Sequence, residues 1–268
     1  MKVFGILRPV AACAALALSA LLVGSAPAGA AGWGTITGQI VYGGGAVPPN
    51  PPAVVNKDVA HCTSKGPILK NELVVDKETK GIKWALVWLT GVDDMKSLKA
   101  IPTHPSLKAV KGSAVIDQPC CVFEPRVLGM REGQSLVIKN SSPVSHNSDL
   151  KGGPAGPDVN QLIPARGQFD AGKPKARAMP FMYTCSIHPW MKGYIGVFKH
   201  PYFVVTGPDG KFTLPKVPAG KYRLMAWHEQ GWVLINPKNL KDRGKVIEIK
   251  DGGTTNVGKI TFTPSKED

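Results

Sequence analysis

Along the chain, apolar positions recur mostly every second residue, in short runs closed by glycine and proline. Thr35–Tyr42 alternates and predicts a first strand over Gly34–Tyr42, ended by Gly43-Gly-Gly. Val47–Ala53 carries four prolines and is excluded from a central sheet. Glu72–Val75 predicts a short strand. After the turn at Lys80-Gly81, Ile82–Thr90 predicts a stronger one, with Trp84 and Trp88 on the same face because side chains alternate. Asp93–Lys99 is the one helical candidate. Ala114–Ile116, Cys121–Leu128 and Gln134–Lys139 read as strands, with a turn at Met130-Arg-Glu-Gly. Lys151–Ala178 is rich in Gly, Pro and Lys, without periodicity, and is expected to be a long loop near whatever site its flanks build. Phe181–Thr184 and Tyr194–Phe198 follow as strands. Beyond Lys199-His-Pro201, a β-meander is expected over Tyr202–Thr206, Lys211–Leu214 and Lys221–His228, with turns at Pro-Asp-Gly and Pro-Ala-Gly. A last hairpin is expected from Val246–Ile249 and Asn256–Phe262.

Short alternating strands with this punctuation predict an all-β protein. The first thirty residues are different. Lys2 and Arg8 precede an apolar run, Val10–Val23, and Ala28-Gly-Ala30 forms an Ala-x-Ala site, which reads as a signal peptide over residues 1–30. The run is short for a membrane span. A lipobox reading around Cys13 would leave almost no apolar core before cleavage. The expected protein is therefore exported, to the periplasm or another extracytoplasmic space, with no integral membrane segment after cleavage.

The chain has 268 residues and a formal charge of +14. A basic surface serves solubility, or docking to an acidic protein or anionic surface. No basic helix or basic-aromatic repeat is present, which argues against nucleic-acid binding. Four cysteines follow the signal: Cys62, Cys120, Cys121 and Cys185. In an exported protein two of them are expected to pair. Cys62 with Cys121 or with Cys120 are the favoured bridges, and the adjacent Cys120–Cys121 pair would be strained.

The candidate chemistry lies in Tyr183-Thr-Cys-Ser-Ile-His-Pro-Trp-Met191, with a second imidazole upstream in Ser145-His146-Asn147. His146, Cys185, His188 and Met191 supply two imidazoles, a thiolate and a weak thioether, the ligand set of a single type 1 copper ion. Soft sulfur favours Cu(I), and imidazole suits both oxidation states. A lone cysteine in an exported β protein is more often disulfide-bonded; His188 and Met191 at these spacings tip the balance to metal. Zinc is the chemical rival, but Met is a poor zinc ligand and no carboxylate sits in the motif. His228 reads as structural, and His61, His104 and His200 as surface or turn residues. Trp190 is either a cap over the metal or an exposed docking aromatic. Lys173, Lys175, Lys192 and Lys199 form a solvated rim.

The Cys-x-x-His-Pro-x-Met segment with its upstream His-Asn resembles the small cupredoxins of the amicyanin and plastocyanin type, and Lys192–Phe198 resembles their closing strand. The resemblance covers residues 134–199 well and earlier residues loosely. It implies a Greek-key β-sandwich or barrel, with His146, Cys185 and His188 as strong ligands and Met191 as the axial one. Asn147 would tie the two ligand loops together. Residues 202–224, with Gly-x-Phe and Val-Pro-x-Gly-x-Tyr, resemble the carboxypeptidase-regulatory-like β-sandwich. The pairing of modules resembles exported bacterial methylamine-utilisation-like proteins. The expected division is thus a cupredoxin-like domain with an N-terminal β extension over 31–200 and a small sandwich over 201–268.

The chain lacks His-x-His, Cys-x-x-x-Cys, Gly-x-Ser-x-Gly and P-loop motifs, so the expected protein is not an enzyme. It is expected to shuttle single electrons between redox protein partners, acidic ones being suited to its charge. The alternatives are a redox-idle copper store or delivery protein, and a carbohydrate- or protein-binding β-sandwich module with a structural metal site.

Overall fold

A computed structural model describes residues 32–94, 96, 98–236 and 239–264, with residues 1, 2 and 5. The segment expected to be a signal peptide otherwise lies outside the described residues. The chain is all-β, and residues 31–268 make one compact unit. Strands β1 (Trp33–Tyr42), β2 (Leu86–Thr90), β3 (Ala114–Asp117), β4 (Val127–Arg131), β5 (Leu136–Lys139) and β6 (His146–Lys151) lead to the site. They are followed by β7 (Asp158–Ile163), β8 (Gln168–Asp170), β9 (Phe181–Thr184) and β10 (Lys192–Phe198). The remainder is β11 (Phe203–Val205), β12 (Lys211–Pro218), β13 (Gly220–His228), β14 (Gly231–Trp232), β15 (Ile235–Asn236), β16 (Asn239–Arg243), β17 (Lys245–Ile249) and β18 (Thr254–Phe262).

These strands build two sandwiches. In the first, β4-β10-β9-β6-β7 faces β3-β5-β8. Its core holds Ile116, Leu136, Ile138, Leu150, Ile163, Phe181, Tyr183 and Ile195, together with Cys185 and Met191. In the second, β12-β1-β18 faces β11-β2-β13, which β14 and β17 extend. Its core includes Ile36, Ile40, Val87, Leu89, Leu214, Leu224, Ile247 and Phe262.

β2 is buried along its whole length. Val87 and Leu89 enter the second core, while Leu86 and Trp88 join Val127, Phe198, Met225 and Trp227 in a third cluster between the sandwiches. That is why this segment reads as a continuous apolar run. Trp84 packs against the same cluster as Trp88, although it precedes the strand, in left-handed backbone with φ of 67°. Arg126 and Glu229 add a bidentate ion pair across this junction (2.7 and 2.9 Å), with side chains 9% and 2% exposed.

The division expected at residue 200 does not follow the sheets. β1 pairs antiparallel with β12 and parallel with β18, and β2 lies between β11 and β13. The second sandwich therefore draws two strands from the first hundred residues. Neither the meander nor the final hairpin forms. β12 joins one sheet while β11 and β13 join the other, and β17 and β18 are likewise split. Tight turns do not require hairpins, since each strand needs only one apolar face against a shared core.

Other differences are local. The expected strand at Glu72–Val75 reduces to a Val75–Ile82 bridge. Ile82–Ala85 is turn and bridge before β2, and the strand expected over Cys121–Leu128 begins only at Val127 and runs through Met130. Among the described positions of Asp93–Lys99 there is turn and bend in place of a helix, with Asp94 accepting from the Lys99 amide; Met95 and Ser97 lie outside the described residues. The only α-helix among the described residues is the single turn Val59–Cys62, which carries no periodic signal. Lys151–Ala178, expected as loop, contains β7 and β8. β7 is an edge strand whose alternate side chains are exposed, so polarity hid it.

A chain ending after His200 removes every strand that pairs with β1 and β2 and exposes Ile36, Ile40, Val87 and Leu89. We expect it to be insoluble or to lose cooperative urea unfolding; a soluble fragment with a cooperative transition would show that residues 31–200 fold alone.

Candidate metal centre

The site forms where two strand ends meet. His146 opens β6, and Cys185–Met191 is the connection between β9 and β10. β6 and β9 are hydrogen-bonded neighbours, with Leu150 opposite Tyr183. Tyr183 is fully buried, and its hydroxyl donates to Pro125 O at 2.6 Å, tying β9 to the lead-in of β4. The close approach requires glycine at 193, where a Cβ would fall 2.4 Å from that ring and hydroxyl. The loop closes on itself: the Cys185 amide donates to Met191 O (3.1 Å) and the Met191 amide to His188 O (2.9 Å).

His146, Cys185 and His188 are brought together. Cys185 is a free thiol, 2% exposed, and both imidazoles are fully buried. Its Sγ lies 4.0 Å from His146 Nδ1 and 3.8 Å from His188 Nδ1, and the three ligand atoms lie within 4.8 Å of one another. With bonds of about 2.0 Å to nitrogen and about 2.3 Å to sulfur, donor atoms at these spacings are close enough to share one ion. Met191 is 2% exposed and belongs to the same apolar cluster.

The imidazole tautomers follow from their outer partners. Ser142 Oγ donates to Val144 O (2.9 Å) and lies 3.2 Å from His146 Nε2. Its one proton is committed, so it accepts from Nε2–H and leaves the Nδ1 lone pair free. Asp58 Oδ2 lies 2.9 Å from His188 Nε2. A carboxylate only accepts, so Nε2 carries the proton here too. Both free lone pairs sit beside Cys185. Sequence reasoning missed Asp58 and Ser142; no spacing links residue 58 to residue 188.

Asn147 is the tie between the ligand loops. Its Oδ1 accepts from the Cys185 thiol (3.2 Å), the Ser186 amide (2.7 Å) and the Ile187 amide (3.2 Å). Asn160 on β7 receives its amide group in turn. Trp190 is half-buried, edge-on to His188 with ring centroids 5.2 Å apart, and its indole donates to Cys121 O at 3.0 Å. Pro189, Trp190 and Lys192 also border an open cavity of about 290 Å³ with Ala53, Val54 and Lys70. Trp190 thus touches both the ligand and the surface. Lys192 pairs with Glu72 at 2.8 Å and approaches Glu229 at 3.6 Å, whereas Lys173, Lys175 and Lys199 are exposed.

Cys62 and Cys121 form a disulfide, leaving Cys120 as the second free thiol among the described residues. His200, expected as a surface or turn residue, lies in a bend but is 1% exposed, and His228 is equally buried. Burial is the main reason that His146, His200 and His228 are all held at about 4. His188 is lowered by burial, against the opposing pull of Asp58.

The family model described as polysaccharide lyase family 4, domain II matches residues 197–257, a sandwich family other than the one the tail resembles. No curated protein matches the chain. Similar solved structures include a mutant amicyanin in its Cu(I) form, 20% identical, covering 34% of this chain and 86% of that one, with a TM-score of 0.28. A purple cupredoxin from Nitrosopumilus maritimus is 21% identical, covering 32% and 99% with a TM-score of 0.28. A second mutant amicyanin, also Cu(I), is 18% identical, covering 39% and 99% at the same TM-score. Scores of this size say nothing of function.

Two predictions follow from the buried groups. Asn147→Ala removes the acceptor shared by three donors and should cost about 1–3 kcal/mol, read from urea unfolding of the metal-free protein; an unchanged midpoint would show that the tie is dispensable. The pH dependence comes from the depressed histidines. Between pH 4 and 6.5 the unfolded chain binds more protons than the folded one, so stability is full above about 6.5 and is lost as pH falls toward 4. Each of the three contributes a slope of up to about 1.4 kcal/mol per pH unit. Metal-free protein should therefore unfold at clearly lower urea at pH 5 than at pH 7, and equal midpoints would contradict neutral buried imidazoles.

Proposed function

We propose that this chain is an exported mononuclear copper protein that passes single electrons between redox protein partners. The observation that carries the proposal is the convergence of two imidazole Nδ1 atoms, each ring held at its far nitrogen by an outer partner, on one buried free thiol. His146, Cys185 and His188 would hold the ion, and Met191 would be the weak axial ligand. When bound, copper would supply the one-electron Cu(II)/Cu(I) couple.

The chain's own residues restrain and insulate that couple. Ser142 and Asp58 hold the imidazole tautomers, and Asn147 fixes the thiolate and the loop amides. A frame of this kind resists rearrangement when charge changes, which suits electron transfer. All three ligand side chains are buried, which favours retention of metal over hand-over to another protein. Trp190, between His188 and the open cavity, is the aromatic group placed for contact with a partner. The basic charge suits an acidic partner. The disulfide fits an oxidising, extracytoplasmic compartment. No helix among the described residues is long and apolar enough to cross a membrane.

Residues 31–268 titrated with Cu(II) should develop an intense thiolate-to-copper band and narrow hyperfine splitting in paramagnetic resonance, both abolished by Cys185→Ser. Reversible bleaching by a reductant without metal loss would support electron transfer. A colourless copper complex would overturn the type 1 assignment. Ready loss of copper on reduction would move the function to storage or delivery.

A further inference from the structure

A separate piece of chain lies against His188. Residues 50–71 leave and rejoin the fold at one neck, closed by Asn50 Nδ2 to Asn71 Oδ1 (2.7 Å), the Asn71 amide to Asn50 Oδ1 (2.9 Å), the Lys70 amide to Pro51 O (2.9 Å) and the Ala53 amide to Ile68 O (2.8 Å). The tip of this loop is the single turn Val59–Cys62. It lays Asp58 against His188 Nε2 at 2.9 Å and brings Cys62 and Cys121 within 4.8 Å of a His188 nitrogen.

Between residues 51 and 70, Cys62 is the only buried residue; Val55 and Ile68 are partly buried against the first core, and Val54 is 79% exposed. A segment with so little buried apolar surface has a low free energy of local opening. Besides the Asp58–His188 contact, its tip is held by the Cys62–Cys121 bond, to the residue whose carbonyl receives the Trp190 indole. We propose that residues 50–71 are a disulfide-latched cover over His188, and that this bond controls how fast a metal ion enters and leaves the site. The metal part rests on the copper assignment above; the cover does not.

The test compares the purified protein with its Cys62→Ala/Cys121→Ala variant. In the metal-free state, carbethoxylation of His188, followed by peptide mass, should be at least tenfold faster in the variant, with His228, buried against Phe262 in the second sandwich, as an unchanged internal reference. In the copper-loaded state, loss of copper to a strong chelator should also be at least tenfold faster, with the visible band intact beforehand. Equal rates for His188 in both proteins would overturn the cover. A reactive His188 in a protein that takes no copper would keep the cover and remove its role in metal exchange. A normal copper band with equal release rates would keep the copper assignment and overturn the latch. Should the variant not fold, wild-type amide exchange before and after treatment with a dithiol decides. Loss of protection confined to the bonded amides of residues 50–71, such as His61, Cys62, Thr63, Ser64 and Gly66, supports the cover, whereas loss there and in β9 and β10 together makes the segment part of the core and overturns it.

Discussion

The Cys185–Met191 loop depends on strands that have no solvent face. β2 and the second half of β13 are buried on both sides, with one face closing the second sandwich and the other meeting β4 and β10. β10 is in the same position: Ile195 and Val197 enter the first core while Phe198 and Tyr194 meet Trp88 and Trp227. β10 begins one residue after Met191, so the end of the ligand loop is anchored in a layer packed from both directions. Close-packed interiors transmit displacement instead of absorbing it. The position of Met191 is thus set partly by a sandwich that contributes no ligand.

Within that frame, polar groups do what packing cannot. A buried imidazole with two nitrogens has two neutral tautomers, and only one offers its lone pair to the ion. Ser142 and Asp58 decide between them through bonds to the far nitrogen, and Asn147 holds the thiol and two amides on a single oxygen. Such networks are stable only when complete, because an orphaned buried donor costs as much as several ordinary contacts contribute. The candidate ligand set is therefore inseparable from a group of residues that would never touch an ion.

The cover over His188 has the opposite construction. It has a polar neck, an exposed outer surface and one buried side chain, and that side chain is in a disulfide. A covalent bond is what holds a segment down where burial is insufficient. This arrangement hides the edge of a ligand without committing the loop to the core.

The sequence by itself determined the strand-rich character of the chain, through period-two alternation and turn residues, and it determined the candidate ligands, through the close spacing of Cys185, His188 and Met191 and the His-Asn pair at 146–147. Those signals are local: they depend on neighbours a few residues apart. Only the tertiary structure decided which sheet each strand joins, because alternation reports one apolar face and not its partner. It also decided that β1 and β2 complete the C-terminal sandwich, that polar β7 is a strand, and that His200 is buried. The same holds for Asp58, which is 130 residues from His188 in the chain and 2.9 Å from it in space. Contacts between distant segments leave no periodic trace; they arise only when the chain closes and buried polar groups must find partners.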